Sequence, residues 1–255
     1  MSTDKVLYEK AGRIAVVTLN RPEVMNAVDP QMDERLVEIW RDFRDDESVD
    51  VAIWTGAGDA FCAGADRGTW FEQWEGADPA RIRAVADGTG FGGLTRGLHR
   101  IAKPIIAAIN GWTLGGGLEF ALACDIRVAS DRARFGLPLV RYGFHTGDGG
   151  ATRLVDICGV GVALDLQLTA EPIDAQRALM CNLVTRVVPH VDLLASAYRL
   201  AEAILDNNQT AVRSAKLTTL DLIGRPLQDQ LRLEALNGHS VGPQLAEILD
   251  SFGDR

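Results

Sequence analysis

The chain has 255 residues, 47% hydrophobic and 24% charged, the balance of a soluble globular protein with one good core and an appendage. A formal net charge of −9 argues against a general nucleic-acid surface but leaves room for a polyanionic ligand wherever basic groups cluster. Met1-Ser2-Thr3-Asp4-Lys5 carries no apolar signal core, and no apolar run approaches the ~18 residues of a membrane span. Cys62, Cys124, Cys158 and Cys181 are scattered in apolar settings with no CxxC pair, so a cytoplasmic protein with buried free thiols and no metal site is expected.

In chain order, the apolar β-branched run Ile14–Leu19 reads as a buried strand, and so does Val51-Ala52-Ile53-Trp54-Thr55. Between them Asp29-Pro30 opens an amphipathic helix with Met32, Leu36, Ile39, Trp40 and Phe43 on one side. Ile105–Ile109 and Ile126-Arg127-Val128-Ala129 are further strands. Strands alternating with helices predict an α/β layering with mostly parallel strands, and periodicity alone permits a doubly wound sheet. Residues 68–97 break the pattern with Trp70, Phe71 and Trp74, then Gly88, Gly90, Gly92 and Gly93. That segment reads either as a pocket lid or as a surface helix with a few core aromatics. From Asp192 onward the pattern is helical over Leu193–Leu205, 210–223 and 226–236, with an apolar face too extensive for a free-standing arm.

Two segments carry the chemistry. Phe61-Cys62-Ala63-Gly64-Ala65-Asp66 and Asn110-Gly111-Trp112-Thr113-Leu114-Gly115-Gly116-Gly117-Leu118-Glu119 each follow a predicted strand and expose backbone N–H groups with little side chain in the way. Two such donors aimed at one point make an oxyanion hole, and a helix start adds its positive end to the same field. The plainer reading is a pair of tight turns, which the pairing of the two segments disfavours. There is no Walker loop and no GxSxG elbow.

These segments, with Val16-Val17-Thr18-Leu19-Asn20-Arg21-Pro22, Asn26-Ala27, Lys103-Pro104-Ile105-Ile106-Ala107-Ala108-Ile109, Ala123-Cys124-Asp125-Ile126-Arg127, Phe135-Gly136-Leu137-Pro138 and Thr169-Ala170-Glu171-Pro172-Ile173-Asp174-Ala175, make the chain resemble the crotonase (enoyl-CoA hydratase/isomerase) superfamily. The resemblance implies a ββα spiral core over 1–190 and a C-terminal helical capping or oligomerisation region over 191–255. It also implies an acyl-CoA substrate, no cofactor beyond that CoA, and a homotrimer or hexamer. By motif position Ala65 and Gly116 supply the oxyanion-hole N–H groups, and Glu119 coincides with one of the two glutamates that hydratases use on water. In relatives, residues 68–97 form a mobile wall of the acyl pocket.

The second glutamate is expected directly after Pro138, where this chain has Leu139. A leucine neither takes nor gives a proton, which puts the paired-carboxylate mechanism in question. Asp148, in Gly147-Asp148-Gly149-Gly150, is either a relocated second carboxylate or the N-cap of a following helix. Superfamily branches that hydrolyse C–C bonds carry an aspartate in a similar setting. His145 reads as a proton shuttle or, more simply, as a hydrogen-bonded loop residue. For substrate and CoA the resemblance points to Arg21, Ala63, Gly64, Asp66, Trp70, Gly115, Leu139 and, across a subunit boundary, Lys216. The expected reaction is hydration or dehydration of an enoyl-CoA through an enolate. Isomerisation, C–C hydrolysis and a non-catalytic acyl-CoA-binding protein are the alternatives.

Overall fold

Successive units of the chain each lay a longer strand into one sheet and a short strand into a second, then return through a helix. The computed structural model describes residues 4–70, 78–96 and 100–240. β1 (Val6–Ala11) and β2 (Ile14–Leu19) form an antiparallel hairpin, followed by α1 (Pro30–Asp45). Then come β3 (Val51–Gly56) with β4 (Ala60–Cys62), α2 (Arg67–Trp70) and α3 (Pro79–Ala86). The next unit is β5 (Ile105–Ile109), β6 (Trp112–Leu114) and α4 (Gly116–Ala123), and the third is β7 (Ile126–Ser130), β8 (Arg134–Gly136) and α5 (Gly150–Thr169). β9 (Ile173–Asp174), α6 (Ala175–Met180) and β10 (Arg186–Val188) lead into α7 (Leu193–Leu205), α8 (Gln209–Leu222) and α9 (Leu227–Ser240).

One sheet has the order β1-β2-β3-β5-β7-β10 and is parallel from β2 onward; the other has the order β4-β6-β8-β9 and is parallel through β8. This is the ββα spiral, not the doubly wound sheet that periodicity also allowed. The corners between the sheets are held by two asparagines. Asn110 Nδ2 donates to the Gly58 and Ala60 carbonyls at 2.8 and 2.9 Å, and its Oδ1 accepts the Gly56 N–H at 3.3 Å. Asn26, fully buried, accepts the Arg21 N–H and sends Nδ2 toward the Ala57, Ala60 and Phe61 carbonyls at 2.9, 2.8 and 3.3 Å.

α1 starts as its sequence indicates: the Asp29 carboxylate accepts the Met32 N–H at 2.9 Å and Pro30 takes the first helical position. Its buried Trp40 packs edge-on against Phe43 of the same helix and against Trp54 of β3, which stacks on Phe120 of α4 with centroids 4.8 Å apart. Trp54 faces this core, so the alternate residues Val51 and Ile53 face the other side of the sheet. There Leu193, Ala197, Leu200 and Ala201 of α7 cover them. Burial on both faces is why these strands read as unbroken apolar runs. α7 therefore belongs to the layered core although it lies past residue 190, and among the described residues α8 and α9 are appended to it. α8 is fastened to the body by Arg213–Asp50, Lys216–Asp125 and Arg100–Asp221 ion pairs. No described helix is long and apolar enough to cross a membrane.

Asn26→Asp keeps the size of the side chain but replaces a buried donor aimed at three carbonyls with an acceptor. It is expected to cost about 2–3 kcal/mol or more. Thermal unfolding of the purified variant beside the wild type, both at neutral pH, measures this; an unchanged midpoint would remove Asn26 from the corner's support.

Candidate active site

β4 runs into Gly64-Ala65, and β6 into Gly115-Gly116 at the start of α4, so the two loops lie side by side. Val28 N–H donates to the Gly64 carbonyl at 2.8 Å and Asp66 N–H to the Val28 carbonyl at 2.9 Å. In such a parallel bridge the residue between, Ala65, turns its own N–H to the opposite side. Gly116 is the first residue of α4, where an N–H has no intrahelical partner. A Cβ on Gly64 would stand 3.0 Å from the Gly116 nitrogen, which fixes how near the two segments come. Cys62 between them is inert: burial pushes its thiol up to about 12, and its sulfur bonds the Asn26 carbonyl and the Gly64 N–H, each at 3.3 Å.

Glu119 lies one turn into α4 and is 3% exposed. Its Oε1 accepts the Asp148 N–H at 2.8 Å and the Gly150 N–H at 3.1 Å, both from the turn that begins α5. Burial raises its carboxyl to about 7 and the nearby Asp148 charge adds to the rise, while the two N–H groups and Arg153 oppose it. The result is a carboxyl poised at neutral pH on the helix that begins with Gly116.

The helix-cap reading of Asp148 is overturned. Gly149 is the N-cap residue of α5 and no side chain caps it, whereas the Asp148 carboxylate points to residues 91–96. Its Oδ1 accepts the Phe91 N–H at 3.0 Å and the Thr95 hydroxyl at 3.2 Å and meets the Arg96 guanidinium at 3.2 Å. Oδ2 has no partner among the described residues. Arg153 donates to the Asp148 and Thr95 carbonyls at 3.2 and 2.7 Å, tying the same two segments through their backbones.

The remaining candidates divide. Trp70 meets the Phe91 ring edge-on at 5.0 Å, and Leu139 lies 3.8 Å from where a Cβ on Gly115 would be, so both border the donor pair. Leu139 sits in a short 3-10 turn, where a longer acidic side chain would face the same glycine. Ala63 N–H is taken by the Met25 carbonyl at 2.9 Å. Arg21 braces the loops within the chain: Nη1 donates to the Ala27 carbonyl at 2.7 Å and to Asp66 at 3.0 Å, and it pairs with Asp29. A phosphate there would meet two carboxylates. Asp66 is committed to that pair and, through Oδ1, to the Gly68 N–H at 3.0 Å. His145 is exposed, its Nδ1 within 2.8 Å of the neighbouring Thr146 carbonyl oxygen, the ordinary loop arrangement.

Lys216 is also engaged within its own chain. Its Nζ pairs with Asp125 at 2.7 Å and donates to the Lys103 carbonyl at 2.9 Å. Asp125 follows the far end of α4, roughly one helix length, about 12 Å, from Gly116. Phe71 and Trp74 of the expected lid, and the chain beyond Ser240, lie outside the described residues. Sequence reasoning missed Phe91, Asp33 and Arg153, which have no motif of their own and reach the site only through the fold. Among the described residues no group of three or more His, Cys, Asp or Glu side chains is placed to hold a metal ion.

The chain matches the family model described as enoyl-CoA hydratase/isomerase over residues 9–250. It is 39% identical over 221 residues to a short-chain-enoyl-CoA hydratase of Clostridium acetobutylicum, covering 85% of this chain and 81% of that one. It is 36% identical over 240 residues to a crotonyl-CoA hydratase of Syntrophomonas wolfei, covering 92% and 88%. Its structure is similar to a solved enoyl-CoA hydratase from Bacillus anthracis with a TM-score of 0.86 and 32% identity, covering 98% of this chain and 96% of that one.

Glu119 also gives a stability signature. Between the ordinary glutamate value of 4.5 and about 7 the folded carboxyl keeps a proton that the unfolded one has released. The folded state binds more protons, so this contribution is present below the unfolded value and is lost as pH rises through the folded one. Glu119→Gln, neutral throughout, is expected to gain about 2–3 kcal/mol relative to the wild type between about pH 5 and about pH 8. Paired thermal melts across that range check the sign.

Proposed function

The chain belongs to the enoyl-CoA hydratase/isomerase family and is a lyase-type enzyme of it; we propose that it adds water across the double bond of an enoyl-CoA through an enolate, with the following division of labour. The thioester oxygen accepts the Ala65 and Gly116 N–H groups, which stabilise the charge that develops there as the β-carbon is attacked. Glu119 takes the proton from the attacking water. Asp148 shares that water through Oδ2, receives the proton relayed from Glu119 and passes it to the α-carbon, so that hydroxyl and hydrogen add across the bond and both carboxylates end as they began. The same steps in reverse are dehydration. The observation that carries this reading is Glu119: a buried carboxyl brought to about 7, one turn below the proposed donor of the hole.

A second reading has specific support. Leu139 stands where a second glutamate is expected, and Oδ1 of Asp148 is already occupied by three donors. On that reading Glu119 alone takes the proton from water and returns it to the α-carbon, and Asp148 only holds the Phe91 backbone. Ala63, Gly64, Gly115, Trp70 and Leu139 would line the substrate under either reading. Arg21 and Lys216 are engaged within the chain, so the CoA phosphates would find cations elsewhere or on a neighbouring subunit. Exposed Val160, Leu164 and Leu168 on α5 and Met180 on α6 support assembly into a trimer or paired trimers. Four free cysteines fit a reducing cytoplasm.

A panel of short, long, aromatic and alicyclic enoyl-CoAs, followed by mass spectrometry for gain of one water, tests the reaction itself. Glu119→Gln is expected to lower kcat by about 10³-fold, and wild-type kcat/KM for hydration to rise with pH through about 7 as the base ionises. Asp148→Asn is expected to lose about 10²-fold if Asp148 moves the proton. Turnover within a few-fold of wild type would assign both transfers to Glu119.

A further inference from the structure

Residues 90–95 lie directly against the proposed oxyanion donors. Phe91 is 6% exposed, and its ring stands where a methyl group on Gly116 would be, with Cε1 2.5 Å and Cδ1 2.7 Å from that position. One face of the ring stacks on Phe120, centroids 4.7 Å apart and planes 20° apart, and Trp70 meets it edge-on. Two consecutive backbone N–H groups are gripped by carboxylates from different elements: Phe91 N–H by Asp148 at 3.0 Å and Gly92 N–H by Asp33 of α1 at 2.6 Å. The Thr95 hydroxyl closes the turn on the Phe91 carbonyl at 3.1 Å. A Cβ on Gly92 would stand 2.6 Å from the Phe120 ring, so the loop lies flush on α4. Within the described residues this stretch is a pinned wall, and its glycines serve close approach and positive φ more than hinging.

We propose that Phe91 is the acyl-size determinant of this site: its ring is the wall met by the acyl carbons beside the thioester carbonyl, the Asp33–Asp148 clamp holds it there, and the enzyme therefore takes short, flat enoyl groups in preference to long or branched ones. The inference rests on the oxyanion role proposed for Gly116. A thioester oxygen about 3 Å from the Gly116 nitrogen puts the carbonyl and α-carbons within van der Waals reach of a ring already in contact with Gly116. A planar enoyl unit can lie along that ring, whereas a branch or a bent chain collides with it. Phe120 behind and Trp70 beside it leave the ring little room to retreat, since cores at native density do not yield freely. Asp33 is the positioning residue, acting only through the Gly92 backbone.

The test measures kcat/KM for the wild type, Phe91→Ala, Phe91→Leu, Asp33→Ala and Asp33→Asn on straight-chain enoyl-CoAs of four, six, eight and ten carbons. In parallel, calorimetry gives Kd for the saturated acyl-CoAs of the same lengths, which needs no turnover. Phe91→Ala is expected to raise the ten-carbon to four-carbon ratio by about 10-fold or more in both measures, with Phe91→Leu intermediate. Asp33→Ala, with the ring intact, is expected to shift the ratio in the same direction by about threefold, while Asp33→Asn, which keeps an acceptor for the Gly92 N–H, stays near wild type. Ratios within about twofold of wild type in both Phe91 variants would overturn the proposal while leaving hydration standing. A shifted binding ladder without any hydration would sink the hydration reading and leave the wall in place. Failure of every form to bind any acyl-CoA would overturn both.

Discussion

Everything at this site follows from two backbone segments lying closer together than a side chain permits. A Cβ on Gly117 would stand 2.2 Å from the Cys62 carbonyl oxygen, one on Gly111 would stand 1.9 Å from the Asp59 carbonyl oxygen, and one on Gly64 would meet the Gly116 nitrogen at 3.0 Å. The β4 loop and the β6–α4 turn are thus in contact along their length, backbone against backbone. Their N–H donors are positioned by the sheets and need no reorganisation when charge appears, the condition under which such donors are most effective. The cost of bending two strands through tight corners is met by Asn26 and Asn110, which satisfy the carbonyls those corners would otherwise leave unpaired.

Around this seam an acidic protein concentrates both signs of charge in a small volume. Glu119, Asp148 and Asp33 surround the turn at residues 90–95, with Arg96 and Arg153 between them. Burial lifts Asp33 to about 6, with the Gly92 N–H opposing and Asp148 adding to the rise. Gly149, under the Arg153 guanidinium, takes φ +94°, so the turn presenting N–H groups to Glu119 favours a glycine at that point. Removing any one of these charges would change the field and the hydrogen bonds around the others, so single substitutions here are expected to be non-additive. Chemistry and substrate wall share one network: the residue whose N–H holds Glu119 has a side chain that holds Phe91.

Much of the layered core was legible in the chain. The runs at Ile14–Leu19, Ile105–Ile109 and Leu193–Leu205 coincide with elements because their apolar period is unambiguous, and Asp29-Pro30 marks a helix start by a mechanism that works locally. The three-residue strands of the second sheet were not legible, since three residues show no period. The carboxylates that engage Arg21 and Lys216 were not legible for a related reason: Asp29, Asp66 and Asp125 come to them only through the fold. Phe91 was invisible because a single aromatic among glycines carries no period and no motif.

The sequence by itself determined the alternation of strands and helices, the glycine-rich backbone of the candidate hole, the presence of Glu119 one turn beyond it and the absence of a carboxylate at Leu139. Each is a matter of residue type at short separation, where propensity, sterics and side-chain chemistry act within a few residues. The tertiary structure alone decided that Asp148 serves the 91–96 segment and not its own helix, that Arg21 braces the Ala65 loop, and that an aromatic ring from a third segment stands over Gly116. Those outcomes join groups 25 or more residues apart, and which partner wins is set by how the spiral's turns stack, a long-range packing result that no local pattern encodes.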